Sequence, residues 1–216
     1  MREFWIGVIS SISATLFLLI VSYYSKKSRG ILIDLFKKIV RIDIDFVYTN
    51  SRESQKDIMK DLEKTTKVYL IMGRGGELQR ETYARLLQNT QSYTSIKILL
   101  PQPKTKTNEI DWLEARENEI IKFDTAFDKG ILKEHVTTTI NYIRKTAKTH
   151  TNFIVKLFNS PDLGKIIITD NYLYYYMLNR NTHGRQNKMY RCKVGTETYN
   201  SYLRLFEFMF ENSTSI

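Results

Sequence analysis

The stretch LGKIIITDNYLYYYMLNRN, residues 163–181, carries the densest structural and chemical signals in this 216-residue chain. An apolar run follows Lys165, then Asp170 and Asn171 interrupt it, and a run rich in tyrosine comes next. β-Branched and aromatic residues favour strands, whereas Asp-Asn favours a turn. The stretch therefore predicts a hairpin of two strands, with a lysine at the entrance of the first.

Strand-like and helix-like patterns alternate upstream of this hairpin. Apolar runs typical of strands lie at 42–48, 67–73 and 95–101, and patterns typical of helices separate them at 51–64 and 77–88. Alternation of this kind favours an α/β fold in which helices cover a sheet.

Two helices and further strands follow a loop that begins at Pro101. Asn108 is the predicted N-cap of the first helix, because its side chain suits the exposed N–H groups of a first turn. The second helix repeats apolar residues at a spacing of three and four, namely Leu132, Val136, Ile140 and Ile143. Later strand patterns lie at 152–158, 164–169, 172–178 and 188–194, and a closing helix carries an apolar stripe of Tyr199, Tyr202, Leu203, Phe206, Met209 and Phe210. We therefore predict a mixed sheet flanked by helices.

An uncharged segment of 21 residues, 4–24, precedes this α/β region. As a helix it spans about 31 Å, close to the hydrocarbon thickness of a bilayer, and aromatic residues lie at both ends. Six Lys or Arg residues and one acid follow between 26 and 41, and such a cluster resists translocation. We expect a single-pass membrane protein with a cytoplasmic carboxy-terminal part. A cleaved signal peptide is the alternative, although the apolar region is long for one and no A-x-A-like site follows it.

The predicted organisation therefore has three parts: a transmembrane helix at 4–24, a basic juxtamembrane linker with an amphipathic helix and the first strand at 25–48, and a ligand-binding α/β domain at 49–216. Several small residues occur at positions of the first part that favour close helix packing, namely Gly7, Ser10, Ser11, Ala14 and Thr15. We expect self-association into a homo-oligomer, such as a tetramer, whose helices line a narrow polar path. A single anchor that tolerates serine at any position is the alternative.

The composition indicates an anionic partner. The chain has 33 Lys and Arg against 23 Asp and Glu, a formal net charge of +10, which favours nucleic acid, nucleotides or the headgroups of anionic membrane lipids. The single cysteine, Cys192, excludes an intramolecular disulfide. Three histidines without a neighbouring cysteine cluster predict no structural zinc, and no cofactor is expected.

Lys165 and Asp170 also stand at the lysine and aspartate positions of the motif H-x-K-x4-D. Together with the strand order over 67–212, this spacing resembles the phospholipase D superfamily. Leu163 occupies the position of the histidine, which in that family is the nucleophile, and Met177 and Leu178 replace the small residues that usually follow. The resemblance implies a phospholipase D-like fold in which Lys165 holds a phosphate but hydrolysis is lost. An unrelated α/β sheet with a chance lysine–aspartate spacing is the alternative.

Two further features point to a phosphate ligand. The segment MGRGGE, 72–77, lies between a strand and a helix, where glycines expose N–H groups to anions, although Leu78 breaks the dinucleotide fingerprint and a simple tight turn is the alternative. Tyr172, Tyr174 and Tyr176 share one face of a strand, and five basic residues without an acid follow between 180 and 193. Bases stack on tyrosine while Arg and Lys follow the phosphates, unless these residues form only a strand and a solvated hairpin. The predicted ligand-binding residues are Arg74, Lys165, Tyr174, Tyr176, Arg180, Arg185, Lys188 and Arg191.

One membrane helix joined to a ligand-binding domain resembles the small membrane effectors of bacterial anti-phage signalling, such as the Hailong-type effector or the membrane proteins of type III CRISPR signalling. The resemblance implies an oligomeric, pore-forming or membrane-disrupting effector of the bacterial inner membrane, gated by a nucleotide or a single-stranded oligonucleotide. Two alternatives stay open at this point. One is a membrane-tethered phosphodiesterase or nuclease of the phospholipase D superfamily, and the other is a membrane-anchored adaptor that binds another protein.

Overall fold

The computed structural model describes residues 14–17, 43–79, 81–103, 109–161, 163–179 and 181–216. The predicted membrane span and basic linker lie largely outside these ranges, including Gly7, Ser10 and Ser11, whereas Ala14 and Thr15 belong to an exposed helical turn at 14–17. No helix within the described ranges is both long enough and apolar enough to cross a bilayer. The span at 4–24 therefore stays a prediction.

The unit Ile44–Ile216 is built on a mixed β-sheet. In its described residues the strands are β1 (Ile44–Tyr48), β2 (Lys67–Ile71), β3 (Ser95–Pro101), β4 (Phe153–Phe158), β5 (Lys165–Thr169), β6 (Tyr172–Tyr176), β7 (Met189–Lys193) and β8 (Thr214–Ser215). Their order across the sheet is β1-β7-β6-β5-β2-β3-β4-β8. The neighbours β2, β3 and β4 run parallel, and the remaining pairs are antiparallel. The predicted mixed sheet is confirmed, and β8 is an addition that the sequence patterns did not indicate.

Helices cover both faces of this sheet. They are α1 (Gln55–Leu62), α2 (Glu81–Gln88), α3 (Trp112–Phe123), α4 (Ile131–Thr149) and α5 (Glu197–Glu211), with short 3-10 helices at Gly76–Gln79, Thr90–Ser92 and Gly184–Gln186. The predicted helix at 77–88 is therefore two elements, a 3-10 turn and α2. The predicted N-cap is also wrong: the carboxylate of Asp111, not Asn108, accepts a hydrogen bond from the N–H of Glu114 at 2.9 Å, because α3 begins at Trp112. Asn108 itself lies outside the described residues.

The alternation of side chains along each strand divides the core in two. On β3, Ile96, Ile98 and Leu100 belong to the cluster that α1 to α4 cover. Leu99 points the other way, into the cluster that contains Phe206 of α5. Phe206 is fully buried and stacks on Tyr69 with ring centroids 5.0 Å apart. Its burial contributes about 3 kcal/mol to the free energy of unfolding.

The hairpin predicted from 163–181 is present as β5 and β6. Every residue of β5 is buried, as expected for a central strand covered on both faces. Asp170 starts the turn at the far end of β5 from Lys165. Its Oδ2 accepts hydrogen bonds from the N–H groups of Thr66 at 2.7 Å and Lys67 at 3.0 Å. Asp170 therefore ties the hairpin turn to the beginning of β2 and does not pair with Lys165.

These hydrogen bonds make the stability contribution of Asp170 dependent on pH. Burial alone would raise the pKa of the Asp170 carboxyl, but the bonds from Thr66, Thr65 and Lys67 outweigh it and lower that pKa below 3.8. The pKa of Asp170 is lower in the folded state than in the unfolded state. Its stabilising contribution is therefore present above about pH 4 and is lost as the pH falls through the pKa of the folded state. We expect Asp170→Asn to lower the free energy of unfolding at pH 7 by about 1 kcal/mol after solvent screening.

Urea denaturation of the wild type and Asp170→Asn at pH 7 and at pH 3 measures this effect. The difference between the two proteins should shrink at the lower pH. A difference of equal size at both pH values would show that the charge of Asp170 contributes nothing.

Candidate functional site

A cleft opens at the sheet edge where β2 ends and β5 begins. Ile71 pairs with Ile166 across these antiparallel strands, so Lys165 enters the sheet beside the loop that follows β2. Tyr176 lies opposite Lys165, at the end of β6. Since β2 and β3 are parallel, this edge also holds the carboxyl ends of parallel strands, where α/β sheets commonly bind ligands.

The cleft has a volume of about 790 Å³, within the usual range for small-molecule sites. Four structural parts line it: the glycine-rich loop after β2, the facing sides of α3 and α4, the start of the β5–β6 hairpin, and the loop before β7. Its charged and histidine side chains are Arg74, Glu77, Arg116, Asp124, Glu134, His135, Lys165, His183 and Arg185.

Lys165 is a buried cation of this site. The residue is 3% exposed, its Nζ binds the Oε2 atom of Glu77, and the same Nζ lies 4.9 Å from the centre of the Tyr83 ring. Burial alone would lower the pKa of the Lys165 ammonium. The electrostatic influence of Tyr83, Glu77 and Tyr176 outweighs burial and raises that pKa above its ordinary value. Lys165 is therefore a permanent positive charge at the cleft.

The close approach of the glycine-rich loop and Lys165 requires glycine at two positions, 164 and 75. Gly164 has φ +95°, and a Cβ there would lie 2.1 Å from the backbone oxygen of Tyr176. Gly75 has φ +68°, and a Cβ there would lie 2.7 Å from a methyl carbon of Leu100. Gly75 thus makes the tight turn that the sequence offered as an alternative, while Gly73 and Gly76 line the cleft.

The lining of the cleft also contains a histidine–carboxylate pair. His183 Nε2 lies 2.9 Å from Asp124 Oδ2, across the gap between α3 and the loop before β7. Arg116 also contacts the loop before β7. It is buried, pairs with Glu119 at 2.9 Å, and donates a hydrogen bond to the carbonyl of Thr182 in that loop at 3.4 Å. None of these residues was predicted, because each belongs to an ordinary helix or loop pattern and only the fold brings them to the cleft.

Only some of the predicted ligand-binding residues lie at the cleft. Lys165, Arg74, Tyr176 and Arg185 all line the cleft, so part of the basic run at 180–193 shares a site with Lys165. Arg74 lies with its guanidinium carbon 5.7 Å from the centre of the Phe127 ring. Lys188 is exposed and does not line the cleft, and Arg180 lies outside the described residues.

The structure does not place Tyr174 and Arg191 at this site. Tyr174 is 1% exposed, because the shared face of the tyrosines is the face that packs into the core, and it offers no ring surface to a ligand. Arg191 binds Asp45 through a contact of 2.6 Å and lies 4.9 Å from the centre of the Tyr172 ring. Its guanidinium therefore joins β7 to β1 and β6, which is a structural role.

The cleft is lined by charges of both signs. The cations are Lys165 and the guanidinium groups of Arg74, Arg116 and Arg185, the carboxylates are those of Glu77, Asp124 and Glu134, and glycines of the loop after β2 and Tyr176 complete the lining. Leu163, the residue at the histidine position of the predicted motif, has no nucleophilic atom. Within the described ranges, no three His, Cys, Asp or Glu side chains lie close enough together to hold a metal ion.

The described fold is similar to that of several solved structures, and one of them is a phospholipase D family member, the family whose fold the sequence predicted. It is similar to the phosphatidylserine synthase of Haemophilus influenzae Rd KW20, with TM-score 0.51 and 11% identity over 79% of this chain and 39% of that one. It is also similar to Nuc, a phospholipase D family member from Salmonella typhimurium, with TM-score 0.49 and 10% identity over 79% of this chain and 97% of that one.

A third similar structure is TrmBL2, an archaeal chromatin protein described with a novel mode of DNA binding. Its TM-score is 0.47 at 12% identity, over 100% of this chain and 67% of that one. No protein-family model matches the sequence, and no curated protein matches it significantly. At these identities the similarities define the fold alone.

Proposed function

We propose that the α/β domain binds a phosphate-bearing ligand, a nucleotide or a single-stranded oligonucleotide, in the cleft and does not hydrolyse it. The observation that carries this proposal is Lys165, a buried and permanently charged ammonium at the cleft edge. A buried charge is costly unless an anion compensates it. Glu77 compensates Lys165 only through a part-exposed carboxylate, so the ammonium still lies beside an open space of about 790 Å³ that a ligand anion can occupy.

The surroundings of Lys165 suit a nucleotide better than a simple carboxylate. Arg74 and Arg185 also line the cleft, and guanidinium groups bind phosphate through two parallel hydrogen bonds. Tyr176 supplies an aromatic ring against which a base can stack. Phosphate and base are thus both accommodated within one volume.

Leu163 argues for binding without turnover. Phospholipase D-type hydrolysis needs a nucleophilic histidine that forms a covalent intermediate, and leucine has no lone pair. Lys165 retains its function as a phosphate contact without that histidine, so the site keeps recognition and loses chemistry.

A phosphodiesterase is the second candidate, and one observation favours it. His183 lies in the same cleft as Lys165 and contacts Asp124 at 2.9 Å. A histidine oriented by a carboxylate is the usual arrangement of a general base or nucleophile. Cleavage of bis(p-nitrophenyl) phosphate that disappears in His183→Ala would support this candidate over simple binding.

We extend the proposal to the whole chain as an oligomeric membrane effector of anti-phage defence. The uncharged segment 4–24 and the six basic residues that follow it support insertion with the domain in the cytoplasm. Small residues such as Gly7 and Ser11 support helix association into a pore or a disruptive bundle. The ligand acts through different affinities for the closed and open assemblies.

Reconstituting the full chain in dye-loaded liposomes tests this function. Protein purified from cells is first deproteinised, and any released species that absorbs at 260 nm is identified by mass spectrometry. We expect dye release to change when that species, or a labelled ten-nucleotide DNA in its place, is added. Arg185→Ala should weaken the response more than Lys188→Ala, because only Arg185 lines the cleft.

Two results would contradict the proposal. The first is protein that is free of ligand and has no affinity for the DNA at low salt. The second is dye release that never depends on ligand in any variant.

A further inference from the structure

The anion that pairs with Lys165 is a side chain of the same protein, the carboxylate of Glu77. Glu77, on the 3-10 helix Gly76–Gln79, places its carboxylate on the Lys165 ammonium. The Lys165 side chain is 4% exposed, whereas that of Glu77 is 28% exposed. The Lys165 side chain is therefore shielded from solvent, whereas the Glu77 carboxylate can reach it.

Glu77 can leave Lys165 without a rearrangement of the backbone. The next residue, Leu78, is fully buried in the core, and its N–H bonds the carbonyl of Gly75 at 2.8 Å. These contacts hold the 3-10 helix in place while the glutamate side chain rotates about its own bonds. A ligand oxygen can then take the vacated position next to Lys165.

The neighbouring Tyr83 points to a phosphoryl group as that ligand. Tyr83 is 1% exposed, and no acceptor for its hydroxyl proton lies within hydrogen-bonding distance in the described part of the chain. Buried hydroxyl groups are normally satisfied. A phosphoryl group offers three terminal oxygens and can therefore accept from more donors around Lys165 than the single carboxylate of Glu77 does.

We infer that Glu77 is an internal stand-in for the phosphate of the ligand, and that binding proceeds by displacing it. This inference rests on the proposed function and identifies Lys165 as the phosphate position within the cleft. A tethered carboxylate competes at an effective concentration on the order of millimolar or more. Glu77 thus lowers the affinity for every phosphate ligand by one common factor and sets the ligand concentration at which the site fills.

Glu77→Gln in the full chain, purified in detergent, tests the inference. The probes are inorganic phosphate and a 5′-phosphorylated ten-nucleotide DNA, measured by calorimetry at low salt. We expect both probes to bind about tenfold more tightly than they bind the wild type, since the tethered competitor is gone. Adding Lys165→Met to Glu77→Gln should abolish the gain.

Thermal melting gives a second readout. Without its carboxylate, Lys165 is an uncompensated buried charge, so Glu77→Gln should melt at a lower temperature in phosphate-free buffer. Phosphate should then raise its melting temperature by more than it raises that of the wild type. Glu77→Asp, which keeps the charge on a shorter side chain, should fold stably and show an intermediate gain in affinity.

The matched control is Glu207→Gln, which removes the same charge from an exposed residue of α5 that does not line the cleft. It should change the affinity for either probe less than about threefold, because the effect is long-range and screened. Equal affinities of the wild type and Glu77→Gln would overturn the inference and leave the proposed function intact. Failure of both proteins to bind either probe would overturn both proposals.

Discussion

Replacing Lys165 with methionine is expected to lower the affinity for a labelled single-stranded DNA by about a hundredfold, the effect of losing a charge-assisted contact. Lys165 is a buried cation of the cleft, and burial strengthens the electrostatic attraction between its ammonium and a phosphate. Methionine keeps an unbranched apolar side chain but removes the ammonium that lies 4.9 Å from the centre of the Tyr83 ring. Fluorescence anisotropy at low salt measures the change.

The variant should remain folded. Methionine suits a position that is 3% exposed. Removing one partner of an ion pair is costly when the other is left as a buried charge, but the Glu77 side chain is 28% exposed, so its carboxylate can be hydrated once the Lys165 contact is lost. Circular dichroism melting verifies that the loss of affinity does not come from unfolding.

Lys188→Met is the control for non-specific attraction. It removes the same charge from an exposed residue that does not line the cleft. We expect a loss of less than about threefold, as for a screened surface charge. Equal losses in the two variants would show that binding follows net charge, and the cleft would no longer be the site.

Gly164→Ala has the second large expected effect, on folding. The backbone at Gly164 has φ +95°, and the new Cβ would lie 2.1 Å from the backbone oxygen of Tyr176. Strain in the left-handed region and overpacking against fixed backbone each cost about 1–3 kcal/mol, so we expect a loss of about 4 kcal/mol in the free energy of unfolding. Urea denaturation of the two proteins measures this difference.

The loss should extend to the site. Relief of the clash requires β6 to move away from β5 at the pair Lys165–Tyr176, and both residues line the cleft. Gly76→Ala is the matched control, because a Cβ at Gly76 meets nothing within 4 Å. It should change stability by less than about 1 kcal/mol. A fully stable Gly164→Ala variant that binds DNA normally would refute the backbone conformation described at Gly164 and its close contact with Tyr176.

Most of the elements could be predicted because their signals are local. The continuous apolar run of β5 and the three-and-four spacing of α4 follow directly from which side chains must be buried. The sequence could not show which way a strand face points. Tyr174 and its neighbours do share a face, but a period of two is the same for a face turned to solvent and a face turned to the core. The binding role predicted for Tyr174 depended on that direction.

The candidate site was predictable only in part. Lys165, Arg74, Tyr176 and Arg185 were predicted from residue type and position, and all four line the cleft. Arg191 belonged to the same basic run, but its partner Asp45 lies 146 positions away in sequence. No local pattern distinguishes a charge that is free to bind a ligand from one that already holds a distant carboxylate.

The amino-acid sequence by itself determined the alternation of strands and helices, the excess of positive charge, and the placement of a lysine without a nucleophilic histidine before it. These properties depend on near neighbours in the chain. Only the tertiary structure decided that Lys165 is buried and that Glu77, 88 residues away, neutralises it. Burial and the electrostatic partners of a charge arise from segments brought together by folding, and they set whether that charge can hold a ligand.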